Sequence, residues 1–327
     1  MKILITGGAG FIGYHLAKRL SSKKGNEIVI ADNLFRGKKD EDLETLLECP
    51  NVLLAQVDLT DAAAWQQFSG FDQVYHLASI NGTRLFYEMP QEVLRVGLLT
   101  AINVLEWFRA KNGQKGAKIL YTSSNEAYGS ALEAFGTLPI PTPENVPLVV
   151  ADPYNPRWSY AAQKIAGELL FIHYAKAYNL RMSIVRPHNF YGPRAGWNHV
   201  IPETIRKIAA KTDPFPLPGG AETRSFCYIE DAVEAMEEVM ASEKTDGGTY
   251  HIGSSEETTI RDLVQEIFSI AGWKPKRIEE TKSPKGSVLR RLPDVSKIQR
   301  DVGWKSSTLL REGLKKTIEW YLAHVKF

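Results

Sequence analysis

Short apolar runs alternate with longer amphipathic stretches along the first half of the chain. Several of the runs are apolar at every position, which is typical of strands buried on both faces of a sheet. The runs cover residues 3–5, 27–30, 52–54, 74–77, 119–121 and 182–185. Apolar residues at helical spacing fill the stretches 11–20, 43–48, 62–68, 92–110 and 159–178. This alternation of strands and helices predicts an α/β fold.

Parallel strands joined by helices form a sheet with right-handed crossovers and helices on both faces. We therefore predict a doubly wound, parallel, Rossmann-like sheet for residues 1–187. The pattern then loosens, and residues 192–225 are rich in proline and glycine. The later predicted elements are a short element over 226–229, a helix from Asp231, a strand near 249–253 that returns to the sheet, a helix from Arg261 and a helix over 309–322. We expect residues 188–327 to form mainly a smaller C-terminal substrate-binding domain.

The composition is that of an ordinary globular protein, because 43% of the 327 residues are hydrophobic and 24% are charged. The formal net charge of +2 favours neither nucleic acid nor membrane partners. No apolar run reaches the ~18 residues of a membrane span, and no signal-peptide pattern precedes the first strand. Cys49 and Cys227 are expected to be free thiols of a cytoplasmic protein. The seven histidines show no ligand spacing, so no metal is expected.

A glycine-rich turn follows the first predicted strand and opens the first helix. Its glycines are Gly7, Gly10 and Gly13, with Phe11 and Ile12 between the last two. Glycine allows a tight turn and a close approach of the backbone to a diphosphate. The helix N-terminus adds unpaired N–H groups and the positive end of its dipole. The turn therefore predicts a dinucleotide site.

Acidic residues end the second and third predicted strands. Asp32, followed by Asn33, lies about 20 residues past the glycines, where a carboxylate binds the adenosine ribose hydroxyls. Such a carboxylate repels a 2′-phosphate, so we predict NAD as the cofactor. Arg36 and Lys38 follow closely and could contact a phosphate, which leaves NADP open. Asp58 is placed either to hydrogen-bond the adenine or to cap the next helix.

Tyr160 and Lys164 are four residues apart at the start of a predicted helix, so they share one helical face. A tyrosine with a pKa of ~10 is a poor base at neutral pH. An ammonium ~4 Å away, at an effective dielectric constant of ~20, contributes about 4 kcal/mol, or about three pKa units. Lys164 and oxidised NAD together could therefore make Tyr160 a phenolate base. Tyr14 and Lys18 have the same spacing, but packing in the first helix explains them better.

These features occur in a fixed order along nearly the whole chain, and together they resemble the extended short-chain dehydrogenase/reductase family. The similar members are the NAD-dependent nucleotide-sugar epimerases and dehydratases. The matching stretches are TGGAGFIG at 6–13, Asp32, Asp58, HLA at 76–78, SSNEAYG at 123–129, YAAQK at 160–164, RPHNFYGPR at 186–194, RSFCYIED at 224–231, RRLPDVSK at 290–297 and GW at 303–304. The resemblance implies an NAD-dependent enzyme that modifies a nucleotide-sugar through a transient 4-keto sugar.

The resemblance also implies roles for individual residues. Ser124 corresponds to the residue that hydrogen-bonds the substrate hydroxyl beside the catalytic tyrosine, and Asn189 resembles the asparagine near the substrate diphosphate. Arg224 and Arg291 fall where arginines of the family reach the nucleotide or phosphate end, and a guanidinium fork suits a diphosphate. The remaining residues implied on the cofactor side are Asn33, Leu59, Leu77, Ala78 and Pro187.

One helix departs from the pattern of the family. Asn103 matches a family position, but Gly97, Thr100 and Ala101 differ from the usual N-x-x-G-T sequence. The cofactor side of this helix is therefore where the implied site departs from the family pattern.

The residues after Ser124 bear on which reaction follows the 4-keto sugar. The resemblance makes Ser124, Asn125, Glu126, Tyr160 and Lys164 the catalytic set. Dehydratases usually carry an aspartate where Asn125 stands, and an amide cannot protonate a leaving hydroxyl. GDP-mannose dehydratases have a serine there, so dehydration is weakened but stays open. Typical 4-epimerases lack an acid at the position of Glu126, which indicates chemistry at C5 or handling of a 6-carboxylate.

Several reactions therefore stay open. Epimerisation is the principal expectation, because it has the larger base rate in the family. Decarboxylation has the better local match, since PRWSY at 156–160 and the R-x-P-D spacing from Arg291 to Asp294 resemble UDP-glucuronate decarboxylases. 4,6-Dehydration and net C4 oxidation are further alternatives. A catalytically silent relative that acts as a regulator is a remote one, because Ser124, Tyr160 and Lys164 are all intact.

The helices that start at Glu92 and Ser159 are apolar around much of their circumference. A helix that covers a sheet needs only one apolar face. The surplus predicts a homodimer contact of four helices, as the resemblance also implies.

Overall fold

The structure is a computed structural model that describes residues 1–112, 116–283 and 288–324. The strands are β1 (Lys2–Thr6), β2 (Glu27–Asp32), β3 (Val52–Gln56), β4 (Gln73–His76), β5 (Lys118–Thr122), β6 (Arg181–Pro187), β7 (Phe190–Tyr191), β8 (Phe215–Pro218), β9 (Thr223–Ser225), β10 (Cys227–Tyr228), β11 (Thr249–Ile252), β12 (Glu257–Thr259), β13 (Ile278–Thr281) and β14 (Arg290–Arg291). The helices are α1 (Phe11–Ser21), α2 (Glu41–Leu47), α3 (Thr83–Glu88), α4 (Pro90–Trp107), α5 (Ala131–Phe135), α6 (Ser159–Tyr178), α7 (Val200–Ala209), α8 (Ile229–Ala241), α9 (Ile260–Ala271), α10 (Ser296–Val302) and α11 (Leu310–His324).

A parallel sheet forms the centre of the molecule. Within the described residues it has seven strands in the order β11-β6-β5-β4-β1-β2-β3. The strand order reverses between β1 and β4, and such a switch point opens a crevice at the C-terminal ends of the strands. The predicted α/β class and doubly wound parallel sheet are therefore confirmed.

Both faces of the sheet are buried by helices. Ile3 and Ile5 on β1 belong to the core that α1 and α8 cover, whereas Leu4 belongs to the core that α4 and α6 cover. All three side chains are fully buried. Side chains alternate between the two faces of a strand, so a strand buried on both faces must be apolar at every position. This is why the uninterrupted apolar runs of the sequence indicate the sheet.

The predicted elements differ from the structure in several places, and α5, α7 and α10 are among the elements that were not predicted. Residues 62–68 were expected to be α-helical, but they form only the short 3₁₀ helix Ala63–Gln67. The short element predicted over 226–229 is divided in the structure, because Phe226 separates β9 from β10 and α8 already begins at Ile229. The short helix α3 was not predicted, and it ends directly before the Pro90 that starts α4.

Small sheets follow the central one in the second half of the chain. They pair β7 with β10, β8 with β13, and β9 with both β12 and β14. The division into residues 1–187 and 188–327 stays a prediction, and residues 284–287 and 325–327 lie outside the described part. In the ranges that are described, no helix is both long and apolar enough to cross a membrane.

Candidate active site

A cleft of about 630 Å³ opens at the C-terminal end of the central sheet. Nearly all of the site residues predicted from the sequence line it. They are Gly7, Gly10, Phe11, Ile12, Gly13, Asp32, Asn33, Asp58, Leu59, Leu77, Ala78, Ser124, Asn125, Glu126, Tyr160, Lys164, Pro187, Asn189 and Arg291. Arg224 is the predicted residue that lies outside this lining.

The glycine turn between β1 and α1 is closely packed. Gly7 has a φ of +68°, and a Cβ atom there would lie 2.9 Å from the backbone nitrogen of Ala78. A Cβ atom at Gly13 would lie 2.5 Å from the Cα atom of Gly8, so a side chain at either position would displace the turn. Helix α1, which is described throughout, has no acidic residue in its first turn. Its amide end therefore suits a phosphate group.

Asp32 ends β2 beside this turn and is buried. Its Oδ2 atom accepts a hydrogen bond from the Ala9 amide at 3.0 Å, and its Oδ1 atom accepts one from the Leu34 amide at 2.8 Å. Burial raises the pKa of the carboxyl, and the two amides oppose that rise. The amides thus fix the carboxylate at the edge of the cleft, where a ribose hydroxyl can donate to its remaining lone pairs.

Asp58 lies in a turn after β3 and also lines the part of the cleft that is predicted to hold the cofactor. Its Oδ1 atom accepts hydrogen bonds from the amide and the hydroxyl of Thr60, at 2.9 and 2.8 Å. The amide group of Asn103 on α4 donates to the carbonyls of Leu59 and Thr60, at 3.1 and 2.9 Å. Asp58 therefore stabilises its own turn, and Asn103 ties that turn to α4. Together with the glycine turn and Asp32, this arrangement fits a dinucleotide.

Tyr160 and Lys164 lie one turn apart on α6, and both are buried. The Nζ atom of Lys164 donates to the Thr122 carbonyl at 2.8 Å and lies 5.5 Å from the centroid of the Tyr160 ring. Burial lowers the pKa of Lys164 to about 7. Burial also raises the pKa of Tyr160, against a hydrogen bond with Ser124 that lowers it. Without a bound cofactor, the side chains around Tyr160 therefore do not lower its pKa, which differs from the prediction made from the sequence.

Phe86 on α3 stacks on the Tyr160 ring. The ring centroids are 4.8 Å apart and the planes differ by 15°. The two rings form a small apolar cluster with Ile80 and Val93, separate from the two large cores. This cluster removes water from the phenol, which accounts for the burial that raises its pKa.

Glu126 lies beside Ser124 and carries an ion pair inside the cleft. Arg291 donates to its Oε1 atom at 2.7 Å, and Arg157 lies 3.6 Å from its Oε2 atom. Burial opposes ionisation of Glu126, but the two guanidinium groups outweigh it and lower the pKa of the carboxyl. The neighbouring Asn125 is buried and carries no charge. This end of the cleft therefore holds an ionised carboxylate and no acid at the Asn125 position.

Two further predicted substrate residues lie next to this ion pair. Arg224 on β9 is paired in register with Arg291 on β14 and forms an ion pair with Glu222 at 2.7 Å. The Asn189 amide group donates to the Ser225 carbonyl at 2.9 Å, and Asn189 has a φ of +42°. The strand pairs of the second half thus bring Asn189 and Arg291 to the cleft, and they place Arg224 beside Arg291 outside its lining. Their contact with a substrate stays a prediction.

The departure of α4 from the family pattern has a packing explanation. A Cβ atom on Gly97 would overlap the Oε1 atom of Gln163 on α6. Gln163 is buried, and its amide group donates to the Ser79 hydroxyl at 3.0 Å. Ser79 lines the cleft, so Gly97 leaves the room through which α6 reaches the cofactor side.

Helix α3 and the residues that precede it also line the cleft, which was not predicted from the sequence. Asn81, Thr83, Phe86 and Met89 line the cleft, as do Arg36 and His199. Only Arg36 had a sequence signal, through its position shortly after Asp32. Arg157 was noticed in the PRWSY stretch, but its contact with Glu126 joins parts of the chain that only the fold brings together.

The fold and the site together define a dinucleotide-dependent enzyme with a serine, a tyrosine and a lysine at the reacting end of its cleft. The model of the NAD dependent epimerase/dehydratase family matches residues 3–253, and the chain belongs to that family. The predicted family, NAD cofactor and enzyme class are therefore confirmed.

Several known proteins are similar to this chain over most of its length. UDP-N-acetyl-alpha-D-glucosaminuronate decarboxylase of Bacillus cytotoxicus is 33% identical, over 98% of this chain and 97% of its own. UDP-glucuronic acid decarboxylase 6 of Arabidopsis thaliana is 32% identical, over 96% of this chain and 87% of its own. The solved structure of a UDP-glucose 4-epimerase of Thermotoga maritima, with UDP-glucose, superposes with a TM-score of 0.85. That epimerase is 27% identical, and the match covers 100% of both chains.

Proposed function

We propose that this enzyme decarboxylates a nucleotide-linked hexuronic acid through a 4-keto sugar. The observation that carries the proposal is the ion pair of Glu126 with Arg291, beside Ser124 in the cleft that also contains Tyr160 and Lys164. The similarity to two decarboxylases of nucleotide-linked uronic acids supports it. In this proposal the phenol of Tyr160 faces C4 of the sugar, and the ion pair faces C5 and C6.

The residues of the chain provide the acid–base chemistry. Tyr160, hydrogen-bonded to Ser124, takes the proton of the C4 hydroxyl. NAD, when bound, supplies the hydride acceptor, the positive charge that favours the phenolate, and the hydride for the final reduction. With C4 a ketone, the C5–C6 bond breaks and its electron pair moves towards the C4 oxygen, which receives a hydrogen bond from the Tyr160 hydroxyl. Carbon dioxide leaves, C5 takes up a proton from solvent, and Tyr160 returns its proton to the C4 oxygen.

The charge at the C5–C6 end suits an anionic substituent. Arg157 and Arg291 both contact Glu126, so these three side chains together carry one net positive charge. A substrate carboxylate balances that charge, and guanidinium groups bind carboxylates with good geometry. The neutral Asn125 is unsuited to protonating a C6 hydroxyl, which disfavours dehydration.

C4 epimerisation is the second candidate. It uses the same first step at Tyr160 and requires the 4-keto sugar to present its other face before reduction. The similarity of the whole chain to a UDP-glucose 4-epimerase favours it. It gives no separate role to Glu126 and its two arginines.

Product masses separate these reactions. The purified enzyme is incubated with NAD and, in separate reactions, with UDP-glucuronic acid, UDP-N-acetylglucosaminuronic acid, UDP-glucose and dTDP-glucose. We expect loss of carbon dioxide from a uronic acid substrate. An isomer of unchanged mass from every accepted substrate would establish epimerisation instead, and loss of water would establish dehydration. The Tyr160→Phe variant serves as the inactive control.

We also propose that the enzyme is a homodimer in the cytoplasm. Leu169 on α6 is 52% exposed and Ile102 on α4 is 37% exposed, although both helices already cover the sheet. These side chains would be buried if α4 and α6 packed against the same pair of a second copy. Light scattering of the purified protein tests this, and a monomeric mass would rule it out. The free thiols of Cys49 and Cys227 agree with a reducing compartment.

A further inference from the structure

We propose that Glu168, held in place by Arg186, is a positioning residue that keeps the Lys164 side chain charged beside Tyr160. The proposal rests on the proposed roles of Tyr160 and Lys164 in oxidation at C4, and it holds for any sugar reaction that begins with that step. Two observations carry it: a buried ion pair one helical turn beyond Lys164, and the lack of a closer carboxylate among the described residues.

The ion pair of Glu168 with Arg186 is buried and closely bonded. The Nε atom of Arg186 donates to Oε1 of Glu168 at 2.8 Å, and its Nη2 atom donates to Oε2 at 2.7 Å. The two side chains are only 4% and 3% exposed. The Ser123 hydroxyl also donates to Oε1, at 2.5 Å. Three donors on two oxygens fix the carboxylate in one orientation.

This fixed carboxylate lies on the same helix as Lys164. Glu168 is four residues beyond Lys164 on α6, so the two side chains share one face. The Nζ atom of Lys164 donates to the carbonyl of Thr122, the residue before Ser123. Among the residues that the structure describes, no carboxylate lies within ion-pair distance of Lys164. Glu168 therefore acts on the ammonium from one turn away and leaves its other N–H groups available to the cleft.

The titratable groups that face Lys164 come from three elements. Besides Tyr160 and Glu168 on α6, they are Tyr121 on β5, whose ring centroid lies 5.1 Å from Nζ, and His76 on β4. Burial lowers the pKa of His76 to about 3 and raises the pKa of both tyrosines, so these three groups are uncharged near neutral pH. Burial lowers the pKa of Lys164 as well, and the charge of Glu168 opposes that fall.

Arg186 limits the effect of the carboxylate. It comes from β6, on the far side of Glu168 from the helix, and brings a positive charge of its own. The ion pair thus acts on Lys164 as a dipole whose negative end belongs to the helix of the lysine. Loss of the negative end should make the ammonium less stable, whereas loss of the positive end should make it more stable.

The pH at which Lys164 releases its proton tests the proposal in the cofactor-free protein. Urea unfolding is measured from about pH 5 to about pH 10 for each protein and for its Lys164→Met counterpart, and the difference isolates this lysine. In the wild type the difference should begin to rise near pH 7. In Glu168→Gln the rise should begin at least about one pH unit lower. In Arg186→Gln it should begin at a higher pH.

The opposite directions separate an electrostatic role from a structural one, because loss of either partner disturbs the packing in the same way. Arg186→Lys keeps the charge without the fork, so its rise should begin near that of the wild type. Arg181→Gln is the matched control. Arg181 lies at the other end of β6, pairs with Asp246 at 2.8 Å and does not line the cleft. Its replacement should leave the Lys164 titration unchanged.

Circular dichroism confirms that each variant is folded. An unchanged titration in Glu168→Gln would overturn the proposal, and so would shifts of Glu168→Gln and Arg186→Gln in the same direction. If Arg186→Gln is too unstable to measure, the double variant Glu168→Gln/Arg186→Gln replaces it, because it removes both buried charges. Its rise should begin above that of Glu168→Gln, and a start at or below that pH would also overturn the proposal. No substrate is present, so a failure here is distinct from a failure of the proposed decarboxylation.

Discussion

Arg224 and Arg291 occupy paired positions on the neighbouring parallel strands β9 and β14. In-register residues of parallel strands leave the same face of a sheet, so two guanidinium groups extend side by side. Like charges in such positions are destabilising. Glu222 pairs with the first arginine and Glu126 with the second, which offsets the repulsion. The second half of the chain thus delivers Arg291 to a cleft that the first half builds, with Arg224 beside it and outside the lining.

Removal of the Arg291 charge should damage both stability and activity. Arg291→Gln leaves the partly buried Glu126 with Arg157 as its cation, at 3.6 Å. We expect the free energy of unfolding to fall by about 1–3 kcal/mol, because a partly buried carboxylate loses its closest partner. Turnover should fall at least about 100-fold, as for the loss of a charged group at a reacting centre. Urea unfolding and product formation measure the two effects.

The double variant Glu126→Gln/Arg291→Gln separates the two contributions. It removes both charges, so its stability should recover towards that of the wild type while its turnover stays low. Recovery of turnover together with stability would show that the ion pair is only structural, which contradicts the proposed role.

Lys164 should make the stability of the cofactor-free enzyme rise above neutral pH. Burial lowers its pKa from its usual value to about 7 in the folded protein. Between pH 7 and the usual pKa of about 10.4, the unfolded chain therefore holds a proton that the folded chain has released. Raising the pH through this window favours the folded state, with a slope that approaches about 1.4 kcal/mol per pH unit. Below pH 7 both states are protonated and the effect is constant.

Urea unfolding of the wild type and of Lys164→Met across this pH range checks that slope. The methionine variant should lack the rise, because it has no proton to release. Equal slopes in the two proteins would mean that the folded Lys164 keeps an ordinary pKa.

Gly97 and Gln163 should behave as one unit. Gly97→Ala inserts a methyl group where the Gln163 side chain lies. We expect it to destabilise the protein by about 1–3 kcal/mol through overpacking. The double variant Gly97→Ala/Gln163→Ala relieves the overlap and should be more stable than Gly97→Ala alone. Thermal unfolding of the single and double variants gives the coupling energy, and simple additivity would show that the two positions do not interact.

Much of the cofactor site could be predicted because its signals are local in sequence. The glycine turn, Asp32 and the Tyr160–Lys164 spacing each report on a few consecutive residues whose geometry the helix or turn fixes. The contacts that the sequence did not reveal are those between distant segments. Arg157 with Glu126 and Gly97 with Gln163 depend on how helices and loops pack, which hydrophobic periodicity does not specify.

Phe86 should control the proton affinity of Tyr160, the proposed catalytic base. Its ring stacks on Tyr160 with centroids 4.8 Å apart, in an apolar cluster that excludes water. Phe86→Leu keeps an apolar side chain but removes the flat surface that holds the phenol plane. We expect the Tyr160 phenol to become more hydrated, so its pKa should fall towards its usual value. Turnover should nevertheless fall about 10-fold, because the phenol is less well oriented towards C4.

Difference spectra during alkaline titration measure the phenol, with the Tyr160→Phe protein as the reference. Steady-state rates over the same pH range show whether the basic limb of the activity profile moves with it. Tyr87→Leu is the matched control, since Tyr87 lies on the same helix, is 48% exposed and does not line the cleft. It should leave both profiles unchanged. If Phe86→Leu lowers turnover while the titration of Tyr160 stays the same, the ring only shapes the substrate pocket and does not tune the base.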